Sequence, residues 1–235
     1  MHPLLTWPFL PVAFVQAMAV RRRIARMLPA PGPHEGAIPG TGEPVRLLVL
    51  GDSSAAGVGV VDMRDSLAGH LARLVAENTG RPVAWRAAGF NSATSGQIRD
   101  HVIKHLPRDG FSHVVLTVGT NDAKNFHAMG RVKKEFGGLA YALRARFPSA
   151  RIVWSPVIDM RTMPALPPFL ARLLESRASA FNSLCAGLAD ERGLIAASRL
   201  EVRDPSGFAE DGFHAGPGGC RVWAEHLLPF VIEQK

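Results

Sequence analysis

"VRLLVLGDSSAAGVG" (residues 45–59) joins an apolar run, Leu47 to Leu50, to a turn carrying one acid, two serines and three glycines. A continuous apolar run ended by turn residues is the pattern of a strand buried on both faces of a parallel sheet. Behind it, "DSLAGHLARLVAENTG" (65–80) repeats Leu67, His70, Leu71, Leu74 and Val75 at helical spacing, and Gly80 closes the element. The alternation continues through strands at 81–89, 111–122, 151–158 and 194–200 and helices at 95–106, 132–147, 169–193 and 218–234. Strand and helix in turn predict an α/β fold, three layers with a central parallel sheet of about five strands and helices on both faces.

In such a sheet, ligands gather beyond the carboxyl ends of the strands. The residues that matter are therefore Asp52 and Ser53 after the first strand, Gly89 after the second, and Gly119, Thr120, Asn121 and Asp122 after the third. "GDSSAAGVG" lacks the lysine of a phosphate-binding P-loop and the glycine spacing of a dinucleotide fingerprint. Ser53 alone reads as turn filler, because turns use Ser and Gly for conformational reasons. The balance shifts with "EDGFHAGPGG", which sets Asp211 three residues before His214, ahead of the last helix. A hydroxyl needs an imidazole to take its proton and a carboxylate to orient that imidazole, and Ser53, His214 and Asp211 fit those roles. The backbone N–H groups of Ser53 and Gly89 and the side-chain amide of Asn121 are candidate oxyanion donors.

Composition bounds the rest. The 235 residues are 47% hydrophobic and 20% charged, ordinary for one globular domain. Lys and Arg number 27 against 20 Asp and Glu, a net charge of +7 that raises an anionic partner. Part of the excess is local, in Arg21, Arg22, Arg23 and Arg26. With one Tyr and no basic run interleaved with aromatics, nucleic-acid binding is not expected. Cys185 and Cys220 are too few for a disulfide framework, and the nine histidines show no metal-ligand spacing, so neither metal nor other cofactor is expected. His101, His105, His113 and His127 read as surface or packing residues.

Residues 1–20 contain no charged side chain, and three arginines follow at once. Prolines at 3, 8 and 11 disfavour a straight spanning helix, and positive charge placed after the apolar run disfavours a secretory signal. A helix starting near Pro11 and running through "VAFVQAMAVRRRIARML" suits either a peripheral membrane contact by residues 1–28 or packing on the domain. "PAPGPHEGAIPGTGEP" then reads as a linker, so residues 1–44 form an N-terminal segment and 45–235 the domain. The expected location is cytoplasmic, with or without inner-membrane association.

"GDSSAAGVG", Gly89 in "AAGFNSATSG", "GTND" and "DGFH", in this order, resemble the four blocks of the SGNH (GDSL-type) hydrolase family. The resemblance implies a flavodoxin-like α/β/α fold and metal-free ester hydrolysis. It makes Ser53 the nucleophile, Gly89 and Asn121 oxyanion donors, and Asp211 and His214 the rest of the triad. It makes Asp52 a support for the turn and Asp122 structural. Ala87 and Ala88 depart from the family, where Asn often precedes the block-two glycine. Within the family the chain is most like FeeA/FeeB-type bacterial esterases and lipases, associated with acyl-chain chemistry. Met160, Met163, Leu166, Pro167, Pro168 and Phe169 follow the fourth strand and suit either an apolar flap over an acyl chain or ordinary core. The implied substrate is an acyl ester, with a thioester or lysophospholipid as a near variant and a non-catalytic membrane-attached lipid-binding module as the rival.

Overall fold

A computed structural model describes residues 10–23, 27–108 and 110–232. Strand β2 (Val45–Gly51) occupies the middle of the sheet, and every residue but Arg46 is buried. Its alternate side chains feed two cores: Leu48 and Leu50 on one face, Leu47 and Val49 on the other. On its two sides lie β3 (Val83–Gly89) and β4 (His113–Thr117), both parallel to it. Next to β4 comes β5 (Arg151–Trp154), then β6 (Ile195–Ala196), also parallel.

With β1 (Glu35–Ile38) at one edge, the sheet holds six strands in the order β1-β3-β2-β4-β5-β6, against about five parallel ones expected. The extra strand, β1, pairs antiparallel with β3 from inside the segment read as a linker. "EGAI" carries no strand pattern of its own; the open edge of β3 supplies its partners. The strand expected over 111–122 ends at Thr117, because Gly119 at φ 131° turns the chain into helix α4 (Thr120–Lys124). The strand expected over 151–158 likewise ends at Trp154.

Helices α2 (Leu67–Thr79), α3 (Ser95–His101), α5 (Met129–Arg146), α6 (Pro168–Asp190) and α7 (Pro217–Ile232) cover the faces. Helix α2 starts at Ser66, whose hydroxyl oxygen accepts from the Gly69 N–H, and stops at Gly80 in the left-handed conformation. Together with α7 it covers the Leu47 face. The Leu48 face is covered by α3, α5 and α6. The result is a three-layer α/β/α fold with a mostly parallel sheet. Because α2 and α3 lie on opposite faces, the chain diverges on either side of β2, at the end of the strand that carries Ser53.

Helix α1 (Leu10–Arg23) begins where the sequence suggests. It packs near α6, with Ala13 buried in the larger core and Val20 against it, while Val12, Phe14 and Val15 stay exposed. Met27 and Leu28, expected to continue the helix, are not helical. Residues 1–9 of the apolar segment, and Arg26, lie outside the described residues. Among the described residues no helix is long and apolar enough to cross a membrane.

Candidate active site

The turn after β2 is fixed by its own polar side chains. Asp52 is buried, and its Oδ1 accepts from the Ser54 N–H at 3.1 Å and the Ser54 hydroxyl at 3.0 Å. Burial pushes the Asp52 carboxyl above its ordinary range, against the pull of the Ser54 bonds and of the charges of His214 and Lys124. The Ser54 hydroxyl also reaches Thr117 Oγ1 at 2.8 Å. Ser54 is thereby committed to the scaffold, and Ser53 is the serine that faces the opposite loop. Gly59, at φ 105°, lets the two meet: a Cβ there would collide with the Ala215 carbonyl oxygen.

The opposite loop runs from β6 to α7. Asp211 Oδ1 accepts from the N–H groups of Phe213 at 2.9 Å and His214 at 3.0 Å, while Oδ2 stands 2.5 Å from His214 Nδ1. His214 Nε2 lies 3.1 Å from Ser53 Oγ. Ser53, His214 and Asp211, 161 residues apart at the extremes of sequence for the first two, thus form one hydrogen-bonded series. Burial tends to raise the Asp211 carboxyl, but the hydrogen bonds from His214 and Phe213 outweigh it and hold the group below its usual range. The side chain of Asp211 is fully buried, and that of His214 is 16% exposed. The loop is itself anchored: the Ala209 N–H donates to the His214 carbonyl at 2.8 Å and the Ala165 N–H to that of Gly212 at 3.0 Å.

The candidate oxyanion donors are placed unequally. The Ser53 N–H has no acceptor among the described residues, so it is free for a ligand. Asn121 is buried beside this turn, and its amide nitrogen donates to Asp52 Oδ2 at 3.1 Å and the Ala93 carbonyl at 2.9 Å. Its two amide hydrogens are therefore held by the protein in this state. Gly89 pairs with Gly51 at the end of β3, where a Cβ would strike the Gly51 carbonyl oxygen. Close strand packing accounts for that glycine, which is not among the residues lining the cavity. Ser92 does line it, at φ 65°, with an N–H that has no acceptor among the described residues. Sequence reasoning passed over Ser92; a serine in "FNSATS" shows no sign of its left-handed backbone.

Ser53 and His214 open onto a cavity of about 1670 Å³. Ile158, Met163, Leu166, Leu170 and Leu174 form an apolar wall, and Phe14 and Met18 of α1 contribute to another. Of the six residues proposed for a flap, only Met163 and Leu166 line this space. Met160 is fully buried in the core, and Pro168 begins α6.

The remaining candidates serve the scaffold. Asp122 Oδ2 accepts from the Ser95 N–H at 3.0 Å and hydroxyl at 3.1 Å, tying α4 to the start of α3. His127 is buried rather than on the surface. Cys185 and Cys220 are free and buried; burial pushes the thiol of Cys220 up to about 12 and that of Cys185 upward as well.

A model of the GDSL-like lipase/acylhydrolase family matches residues 49–222, from within β2 to within α7. A GDSL-like esterase of Mycobacterium tuberculosis is 24% identical over 91% of this chain and 73% of its own length. Among solved structures, a lipase from a goat rumen metagenome superposes with a TM-score of 0.65 at 14% identity, covering 79% of this chain and 97% of that one. A family 3 carbohydrate esterase of Clostridium thermocellum gives 0.62 at 16% identity, covering 78% and 93%. At such identities the two superpositions speak for the fold.

Proposed function

This chain belongs to the GDSL-like lipase/acylhydrolase family, and from that premise we propose that it hydrolyses carboxylic esters of lipid-like acyl chains through Ser53, His214 and Asp211. The observation that supports this reading above all is the 3.1 Å approach of His214 Nε2 to Ser53 Oγ, with Asp211 2.5 Å from the other ring nitrogen. His214 Nε2 takes the Ser53 proton as Oγ adds to the ester carbonyl carbon. The tetrahedral oxyanion is met by the Ser53 N–H, by the Ser92 N–H in the place first given to Gly89, and by an Asn121 hydrogen released from Asp52. The bond to the alcohol oxygen then breaks, and that oxygen leaves with the proton held on His214. Water adds to the acyl-enzyme, gives its proton to His214, and the acid departs as Ser53 Oγ recovers a proton.

The apolar wall of Leu166, Leu170 and Leu174 supports an acyl chain over a polar acyl group. Hydrolysis of p-nitrophenyl esters over a series of chain lengths tests both halves. We expect a preference for long chains in the wild-type protein and loss of turnover in Ser53→Ala. Full activity in that variant would refute the mechanism, and preference for acetate would refute the lipid-like substrate.

The catalytic unit is taken to include β1, since it completes the edge of β3, rather than to begin at residue 45. The exposed Val12, Phe14 and Val15 on α1, with exposed Arg21 and Arg22 at its end, support a peripheral contact with an anionic lipid surface. Replacing the exposed Val12 and Val15 by Asp, which leaves the cavity-lining Phe14 and Met18 in place, should abolish sedimentation with phosphatidylglycerol vesicles while hydrolysis of soluble esters persists. Unchanged sedimentation would refute the contact.

A further inference from the structure

Away from Ser53, three side chains on two elements and a loop aim unpartnered atoms at one point. Asp122 ends the "GTND" turn inside α4, His127 lies in the loop after it, and Glu135 is on α5. The spacing D-x4-H-x7-E suggests no ligand motif, which is why none was read from the sequence. Phe126 makes the cluster: at φ 56° it folds the loop back, so that the His127 N–H donates to the Asp122 carbonyl and the imidazole turns inward.

The outer oxygens of the two carboxylates and the His127 carbonyl are held from the far side. Asp122 Oδ2 is taken by Ser95, Glu135 Oε1 by Arg131 at 2.8 Å, and Arg177 is committed to the His127 carbonyl oxygen. What remains is Asp122 Oδ1, His127 Nδ1 and Glu135 Oε2, all buried and all without a hydrogen bond. The Asp122 side chain is 0% exposed and that of His127 8%. Buried polar atoms of this kind are rare in native proteins and call for a partner. The His127 nitrogen stands 3.4 Å from the Asp122 oxygen and 3.5 Å from the Glu135 oxygen, and the three atoms lie within 4.8 Å of one another. Those separations are too long for good hydrogen bonds. The two nitrogen–oxygen separations match ligands about 2.1 Å from a tetrahedral ion, for which the ligand atoms stand roughly 3.4 Å apart.

We propose that Asp122, His127 and Glu135 bind a divalent metal ion of the zinc class. One neutral imidazole and two carboxylates suit such an ion in charge and in hardness, and Arg131 orients Glu135 by its outer oxygen. The ion would join the residue after Asn121 to α5 and, through Ser95, to the start of α3. It is a positioning site for the Asn121 turn; the proton transfers at Ser53 and His214 do not pass through it.

Calorimetric titration of the chelator-treated full chain with Zn²⁺, and the visible spectrum with Co²⁺, test this directly. One ion per chain, a low-coordinate Co²⁺ spectrum, and a thermal midpoint raised by Zn²⁺ are expected. His127→Gln and Glu135→Gln should each weaken binding by at least about 10- to 100-fold, the loss that even an outer-shell change brings. Absence of stoichiometric binding to the wild-type chain, which requires no variant to fold, would overturn the proposal. Wild-type affinity in both variants would overturn it as well, assigning the ion to surface histidines.

Discussion

Replacing Asp211 by Asn changes one atom of the proposed triad and leaves its shape. In the wild-type protein Oδ1 accepts two backbone N–H groups, from Phe213 and His214, while Oδ2 accepts from His214 Nδ1. An amide cannot do all three. With its oxygen on the backbone donors, its NH₂ faces Nδ1, which must then give up its hydrogen; the ring carries its proton on Nε2, pointing at Ser53, and cannot act as a base. With the amide flipped, the ring is right, but NH₂ meets two backbone N–H groups that lose their acceptor. Each orphaned donor costs about 1–3 kcal/mol, so the productive flip lies about 2–6 kcal/mol above the unproductive one. At 1.36 kcal/mol per decade, Asp211→Asn should lower kcat by between about 30-fold and roughly 10⁴-fold. The turn keeps its oxygen acceptor, so the thermal midpoint should change little. The assay is kcat on a p-nitrophenyl ester beside a thermal melt of the same sample. A loss under about 10-fold with the melt unchanged would refute the role given to Asp211, because the tautomer argument sets a floor above that.

Three more outcomes are expected. Asn121→Ala should lower kcat by about 10²- to 10³-fold with little change in KM, as loss of an oxyanion donor does; a loss of stability alone would mean that Asn121 only holds Asp52 and Ala93. Gly119→Ala should destabilise the fold by about 1–3 kcal/mol in chemical denaturation, since φ 131° disfavours a side chain and its Cβ would collide with the Phe181 ring; an unchanged midpoint would contradict this. His113 is held at about 4 by burial and by the charges of Arg81 and Arg151. Its folded pKa lies below the unfolded value, so the unfolded chain binds the extra proton between about pH 6.5 and 4 and stability falls as pH drops through that window. Urea midpoints should show a smaller loss in this window for His113→Gln than for the wild-type chain, and equal losses would refute the assignment.

The parts of this molecule that were legible in its sequence are those decided locally. Leu47 to Leu50 announce β2 because a short apolar run ended by turn residues is the pattern of a strand covered on both faces, and Gly80 marks the end of α2 because the cap needs a left-handed residue. Asp211 and His214 were visible because a carboxylate and an imidazole three apart can bond one another without help from the rest of the chain. What stayed hidden depends on neighbours distant in sequence. "EGAI" becomes β1 only through the edge of β3, and the Gly51 carbonyl that leaves no room for a side chain at Gly89 comes from the neighbouring strand. Ser92 and Phe126 carry positive φ at residues whose side chains do not ask for it, and through them the cavity gains an N–H and His127 turns toward Asp122.

The proposed reaction passes through a covalent acyl-enzyme on Ser53. Treating the protein with a long-chain fluorophosphonate and mapping the adduct by peptide mass spectrometry tests it most directly. One phosphonyl group per chain is expected, on Ser53, with labelling slowed in His214→Ala and absent in Ser53→Ala. An adduct on Ser54 or elsewhere, or labelling that is unaffected by Ser53→Ala, would contradict it.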